Sequence, residues 1–137
     1  MKKVTTLLIV SILLLSTTSV LAASDGHVKA KLIPVGDSWV TGMVKVQQLP
    51  HGGTNILVVA HGLTPGVEYL SLYYENHTCE LEPYAEDDVI GTYTANAAGV
   101  GQTQNKLADD LDEINSISVR LASDFSLLAC ADIHPTP

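Results

Sequence analysis

Cys79 and Cys130 carry the most distinctive chemistry of this chain, because they are its only thiols. Thiolates bind zinc, but zinc sites place further Cys or His ligands at close spacing, and only His77 stands near Cys79. In an oxidising compartment an even number of cysteines favours a disulfide, which here would join residues 51 positions apart. We therefore expect a disulfide between them, and the loop-entropy relation assigns it about 4 kcal/mol of stabilisation.

A metal site around His77 is the alternative chemistry. Three carboxylates, Glu75, Glu80 and Glu82, lie close to it along the chain and could help it to hold copper, zinc or calcium. We expect His77 to be an ordinary surface histidine and the acidic stretches to be solvated surface, with the metal site as the second hypothesis. No Gly-x-Ser-x-Gly motif stands between a strand and a helix, so nucleophilic catalysis is not expected.

The beginning of the chain resembles an export signal. Lys2 and Lys3 form a short cationic start, residues 7–15 form an apolar run, and Ala22 and Ala23 supply the small residues that a signal peptidase requires. The pattern predicts a signal peptide over residues 1–23 and a secreted or periplasmic mature protein. The apolar run is too short to span a bilayer, so we expect no membrane attachment after cleavage.

Charge narrows the choice of partners. Without residues 1–23 the chain keeps five basic and fifteen acidic side chains, a net charge of −10 with neutral histidines. A protein of this charge is expected to lack the basic patch that replaces phosphate counterions, and to be repelled by anionic lipid. We therefore expect no nucleic-acid partner, and consider a protein or a glycan as the partner.

Short strand-like segments, separated by turn residues about every ten positions, dominate the rest of the chain. Only residues 107–113 have a helical pattern. Many short strands without alternating helices predict an all-β antiparallel sandwich or barrel. We expect a single domain over residues 24–134 and a short Pro-rich tail over 135–137, with eight strands at 28–35, 39–47, 56–60, 69–74, 89–95, 99–106, 117–122 and 127–133.

Several of these segments resemble those of copper/zinc superoxide dismutases. The resemblance rests on four motifs in the family's order: Val40-Thr-Gly42 with Val44-x-Val46-x-Gln48, Gly62-Leu-Thr-Pro-Gly66, Gly91-Thr-Tyr-Thr-Ala95 with Gly99-Val100, and Leu128-Ala-Cys130. It implies an eight-stranded antiparallel Greek-key β-barrel or sandwich in which Cys79 is bonded to Cys130.

The same resemblance implies where metal ligands would stand. The family's ligand and guiding positions correspond here to Ser71, Tyr73, Glu86, Val89, Arg120 and Leu127, so none of the expected ligands is present. Dismutation needs a redox metal with an open coordination position. We therefore expect a pseudoenzyme with no cofactor and no dismutase activity, which acts as a binding or structural module.

Alternation along residues 69–74 divides the side chains between two faces. From the resemblance we expect Ser71 and Tyr73 to lie outside the barrel, next to Arg120, and Leu70 and Leu72 to pack inside. Tyrosines exposed on this sheet would then be candidates for anchoring a protein or glycan partner.

Overall fold

The computed structural model describes residues 26–83 and 88–135, so the predicted signal peptide and Glu86 lie outside the described residues. Eight strands form, each within a few residues of its predicted position. The prediction of an all-β protein is confirmed, and the described residues contain no α-helix. The strands are β1 (His27–Pro34), β2 (Thr41–Gln48), β3 (Thr54–His61), β4 (Glu68–Tyr74), β5 (Val89–Thr94), β6 (Gly101–Leu107), β7 (Ser116–Leu121) and β8 (Leu127–Asp132).

All strand pairs are antiparallel, and the order across the sheet is β5-β4-β7-β8-β1-β2-β3-β6. The sheet curls into a nearly closed barrel in which the two end strands, β5 and β6, approach each other. At this seam the Asn105 side chain donates a hydrogen bond to the Ile90 carbonyl at 3.1 Å. Gly91 lies against Thr103 so closely that an added Cβ would be 2.1 Å from the Thr103 hydroxyl oxygen.

The barrel interior is filled by every second side chain of the strands, as the period of two requires. In β2 and β3 five of these positions are apolar and fully buried: Val44, Val46, Ile56, Val58 and Ala60. Burying a Val or Ile side chain contributes about 1.5–3 kcal/mol, so this cluster is the main source of stability. Its largest fully buried aliphatic members are Leu32, Ile56, Ile90, Ile114 and Ile117.

The helical pattern at residues 107–113 yields only one turn of 3-10 helix, Leu111–Glu113. Two contacts hold this turn in place beside the β2–β3 connection. The Gln48 side chain donates to the Asp110 carboxylate at 2.8 Å and accepts from the Leu111 amide at 2.7 Å. No helix of the described residues is long and apolar enough to cross a membrane.

Candidate functional site

The predicted disulfide is confirmed. Cys79 and Cys130 are joined with an S–S distance of 2.06 Å and a Cα–Cα distance of 6.0 Å. This spacing lies within the ordinary range for disulfides. The bond ties the segment after β4 to the last strand, and it is compatible with an oxidising, extracellular compartment.

The expected faces of β4 are wrong. Tyr69 and Tyr73 belong to the main apolar cluster inside the barrel, whereas Leu70 and Leu72 pack outside it in a second cluster with Cys79. Arg120 pairs with Leu70 across β4 and β7 and therefore shares the outer face. Ser71 and Tyr73 are thus separated from Arg120 by the sheet, and the residue correspondence with the dismutase ligand positions fails on this strand.

Hydrogen bonds explain why tyrosines can occupy the inner face. Tyr73 donates to the Asp109 carboxylate at 2.7 Å, and the Tyr69 hydroxyl accepts from the Thr64 amide at 2.9 Å. The hydroxyls of Ser71 and Tyr93 are hydrogen bonded at 2.8 Å. Burial raises the pKa of Tyr93 to about 12, outweighing the opposing effect of the Ser71 hydrogen bond.

Arg120 organises the outer face. Its guanidinium is buried and donates to the Tyr74 hydroxyl at 2.8 Å, to the Cys79 carbonyl at 2.6 Å and to the Phe125 carbonyl at 2.5 Å. Tyr74 is hydrogen bonded in turn to Ser118 at 2.7 Å. Arg120 therefore links β4, the disulfide segment and the β7–β8 turn through neutral oxygens.

The other two described positions of the expected ligand set, Val89 and Leu127, pack in the same outer cluster as Leu72 and the disulfide. β4 carries no histidine on either face, and its tyrosine and serine hydroxyls are already hydrogen bonded within the protein. Copper and zinc sites need imidazole, thiolate or carboxylate ligands gathered at one point. The described residues at these positions do not fit such a metal.

The alternative metal ligands are not brought together either. His77 Nδ1 lies 2.8 Å from an Asp132 carboxylate oxygen, at a half-exposed site. Glu82 accepts hydrogen bonds from the backbone amide and the side chain of Asn76, at 2.9 and 2.6 Å. Among the described residues, His77, Glu75, Glu80 and Glu82 do not form a group of three ligand atoms that could share one ion.

One acidic group does converge, at the 3-10 turn, where Asp110, Asp112 and Glu113 bring ligand atoms within 4.8 Å of one another. All three are exposed, and two already have partners. Asp110 accepts from Gln48 and from the Gly53 amide, both at 2.8 Å, which lowers the pKa of its carboxyl. Glu113 accepts from the Asp110 amide, as in a capping box. These hydrogen bonds account for the cluster without an ion.

The expectation of exposed tyrosines is also wrong for the described residues, because Tyr69, Tyr73, Tyr74 and Tyr93 are all buried. The most exposed aromatic side chain of the described residues is Trp39, which is 87% accessible to solvent, and Phe125 is also exposed. The backbone of Trp39 lies against Gly62 at the end of β3. The sequence pattern predicts Trp39 at the start of the second strand, whereas β2 begins at Thr41 and Trp39 lies in the loop before it.

The outer side of β1, β2, β3 and β6 is the feature that the sequence analysis missed. We call it the lysine face, because all four lysines that follow the predicted signal peptide project from it and these four strands contain no Asp or Glu. The expectation that the chain lacks a basic patch is therefore wrong. The lysines are Lys29 and Lys31 on β1, Lys45 on β2 and Lys106 on β6.

A groove of about 530 Å³ runs over this face. Its floor is aliphatic, from Met43, Leu57 and Val59, and Lys31 and Lys45 are among the residues that line it. Lys29 and Lys45 are direct cross-strand partners, and no lysine of the face forms an ion pair with a described residue. The face can therefore attract an anion that also offers apolar contact.

No protein-family model matches the chain, and no curated protein matches it. A functional conclusion must therefore come from the geometry of the described residues.

Proposed function

We propose that this protein is an exported, non-catalytic binding module built on a superoxide dismutase-like β-barrel. The observation that carries the proposal is the lysine face of an otherwise acidic protein. Lys31 and Lys45 line its aliphatic groove, the other two lysines project from the same side, and none of the four forms an ion pair with a described residue. Apolar surface bordered by groups of one charge is typical of binding sites. Support for the barrel relationship comes from the eight antiparallel strands and from the disulfide.

The absence of catalysis is argued from side-chain chemistry. A redox metal would need several imidazole or thiolate ligands at one point, whereas the one group of three possible ligands among the described residues is the exposed acidic cluster at the 3-10 turn. The two cysteines are consumed by the disulfide. Function on this barrel is therefore assigned to a surface and not to an internal reaction centre.

Metal loading tests the non-catalytic part. The full chain is expressed in a bacterium, the exported form is purified and dialysed with copper, zinc or calcium in turn, and elemental analysis and superoxide consumption are measured. We expect metal well below one ion per chain and no activity. A stoichiometric ion that is lost in His77→Ala would favour the metalloprotein hypothesis, and superoxide consumption would overturn the proposal.

Mass spectrometry of the same sample tests export. The intact mass should correspond to cleavage after residue 22 or 23, as the Ala22-Ala23 sequence predicts. A full-length chain confined to the cytoplasm would contradict this part of the proposal.

A further inference from the structure

The arrangement of charge on the lysine face is unfavourable for the isolated fold. Lys29 and Lys45 stand directly opposite each other on β1 and β2, and like charges in cross-strand pairs are destabilising. Lys31 follows two residues after Lys29 on the same side of β1. The described part of the chain supplies no carboxylate to any of them. An external anion would remove this repulsion.

The groove floor adds a second requirement for the ligand. Met43, Leu57 and Val59 form cross-strand neighbours in the middle of the face, and Met43 is 42% exposed. Trp39 does not line the groove itself, but it lies two positions before Thr41, which does, on the exposed loop that leads into β2. A ligand that covers this strip and the indole ring must offer C–H surface as well as negative charge.

Side-chain amides supply a third requirement. Gln102 and Gln104 on β6 stand beside the aliphatic strip, across from Val59 and Leu57, and Asn55 accepts from Gln104 at 3.3 Å. Exposed amides both donate and accept hydrogen bonds. They suit a ligand that is rich in hydroxyl groups.

We propose that the lysine face binds an acidic polysaccharide, with carboxylates at the lysines, sugar C–H surfaces on the aliphatic strip and Trp39, and hydroxyls at the amides. This inference rests on the binding function proposed above. It names the class of ligand and the surface that holds it.

Other anionic partners fit less well. An extended peptide would add at a sheet edge, but β1, β2 and β3 are each paired on both sides. A lipid surface would strip water from the amides of a flat sheet without supplying partners. Nucleic acid carries one charge per roughly 1.7 Å of duplex, and the acidic remainder of this protein would repel it.

Titration with sodium polygalacturonate tests the proposal, with the fully methyl-esterified polymer as the uncharged control. Trp39 is the only tryptophan of the chain and lies in the loop next to Thr41 at the groove, so its emission can report a ligand that extends from the groove onto this loop. We expect the acid polymer to shift and saturate the emission, while the ester has little effect. Raising the salt from about 20 to about 200 mM should weaken binding about tenfold or more, because it screens exposed charges.

Variants locate the site. Lys29→Gln/Lys45→Gln should weaken polygalacturonate binding about tenfold, measured by calorimetry on protein whose thermal unfolding is unchanged. The matched control, Thr92→Glu/Ser123→Glu, changes the net charge by the same amount at exposed positions outside the lysine face and should have a smaller effect. Trp39→Ala should weaken binding without altering its salt dependence.

Several results would overturn the inference. Equal binding of acid and ester polymers, or an unchanged affinity in Lys29→Gln/Lys45→Gln, would exclude a charge-directed polysaccharide site. Tighter binding to phosphatidylglycerol vesicles or to poly-glutamate would assign the face to a membrane or an acidic protein instead. If the protein self-associates at low salt and Lys29→Gln/Lys45→Gln abolishes this association, the lysine face would instead bind a second copy of the chain. These outcomes leave the metal and dismutase tests unaffected, so failure here is distinguishable from failure of the non-catalytic assignment.

Discussion

Arg120 is a buried cation whose partners, among the described residues, are neutral oxygens. Burial of a charge is costly unless hydrogen bonds replace its hydration, and here three bonds do so. The planar guanidinium of arginine donates in three fixed directions at once. The ammonium group of lysine, on its flexible side chain, does not reproduce this arrangement. Arg120 therefore helps to hold the disulfide segment in place through the Cys79 carbonyl.

We expect Arg120→Lys to lower the free energy of unfolding by about 2–4 kcal/mol, because it leaves the Cys79 and Phe125 carbonyls without a donor. Chemical denaturation measures the loss. Tyr74→Phe is the control, since it removes only the hydroxyl bonds and should cost about 1 kcal/mol. A lysine variant as stable as the original chain would show that the network contributes little.

Because of Tyr93, we expect the free energy of unfolding to depend on pH in the alkaline range. Its pKa is about 12 in the folded protein against 10.0 ordinarily, because burial disfavours the phenolate. Above pH 10 the unfolded chain releases this proton while the folded chain keeps it, so stability falls as pH rises toward 12. The loss from this group should reach about 2–3 kcal/mol.

Denaturation curves at pH 8 to 12 for the original chain and for Tyr93→Phe test this prediction. The variant loses the Ser71 hydrogen bond and should be less stable at pH 8, but the gap between the two proteins should narrow at high pH. If the difference in unfolding free energy between the two proteins stays constant from pH 8 to 12, Tyr93 has the same pKa in the folded and unfolded states.

At the level of elements, the segment after β4 depends on more than its disulfide. Cys79 has a φ of 58°, in the left-handed region that costs a residue with a side chain roughly 1–2 kcal/mol. Its amide is held by Ser116 at 3.2 Å and its carbonyl by Arg120. The disulfide and these bonds together maintain an unfavourable backbone conformation.

Removal of the disulfide by Cys79→Ser/Cys130→Ser should cost about 2–5 kcal/mol of unfolding free energy. Cys79→Gly/Cys130→Ser lacks the same bond but relieves the backbone strain, because glycine tolerates this φ. It should therefore be more stable than the serine pair. The opposite order would indicate that the strain at Cys79 is negligible.

The eight strands could be predicted from the sequence because turn residues separate them, β1 alternates apolar residues with lysines, and β3 is a continuous apolar run. In β4 the same reasoning failed for a physical reason. Its inner face is the barrel core and its outer face is covered by the disulfide segment, so Tyr69, Ser71 and Tyr73 are as buried as Leu70 and Leu72. Alternation separates two faces but does not identify the inner one when both are buried.

The lysine face could not be predicted from the sequence for a different reason. The spacing of Lys29 and Lys31 places both on one side of β1, and this could be seen in the chain. Lys45 and Lys106 join them only because β1 pairs with β2 and β3 pairs with β6. The pairing of β3 with β6 is long-range, and no local pattern specifies it.

At the scale of the whole molecule, closure of the barrel depends on the seam between β5 and β6. Gly91 has no side chain there because Thr103 fills the space, and its φ is not in the left-handed region. The requirement for glycine is therefore steric alone. Unpaired edges of these strands would otherwise be open to association with other chains.

Gly91→Ala should destabilise the protein by about 1–3 kcal/mol, since overpacking forces the seam apart. Thr103→Ala in the same chain removes the colliding hydroxyl and should recover much of the loss. A double-mutant cycle from thermal or chemical unfolding measures this coupling. Additive effects would place the two residues out of contact.

The placement of basic residues within strands and of most acidic residues in connections also determines which proteases can cut the protein. After the predicted signal peptide, every trypsin site lies within a β-strand: Lys29, Lys31, Lys45, Lys106 and Arg120. A paired strand cannot enter a protease cleft without opening, so the rate of tryptic cleavage should follow the unfolding equilibrium. Most glutamates and aspartates lie in connections instead, so a protease specific for acidic residues should nick the folded chain that trypsin leaves intact.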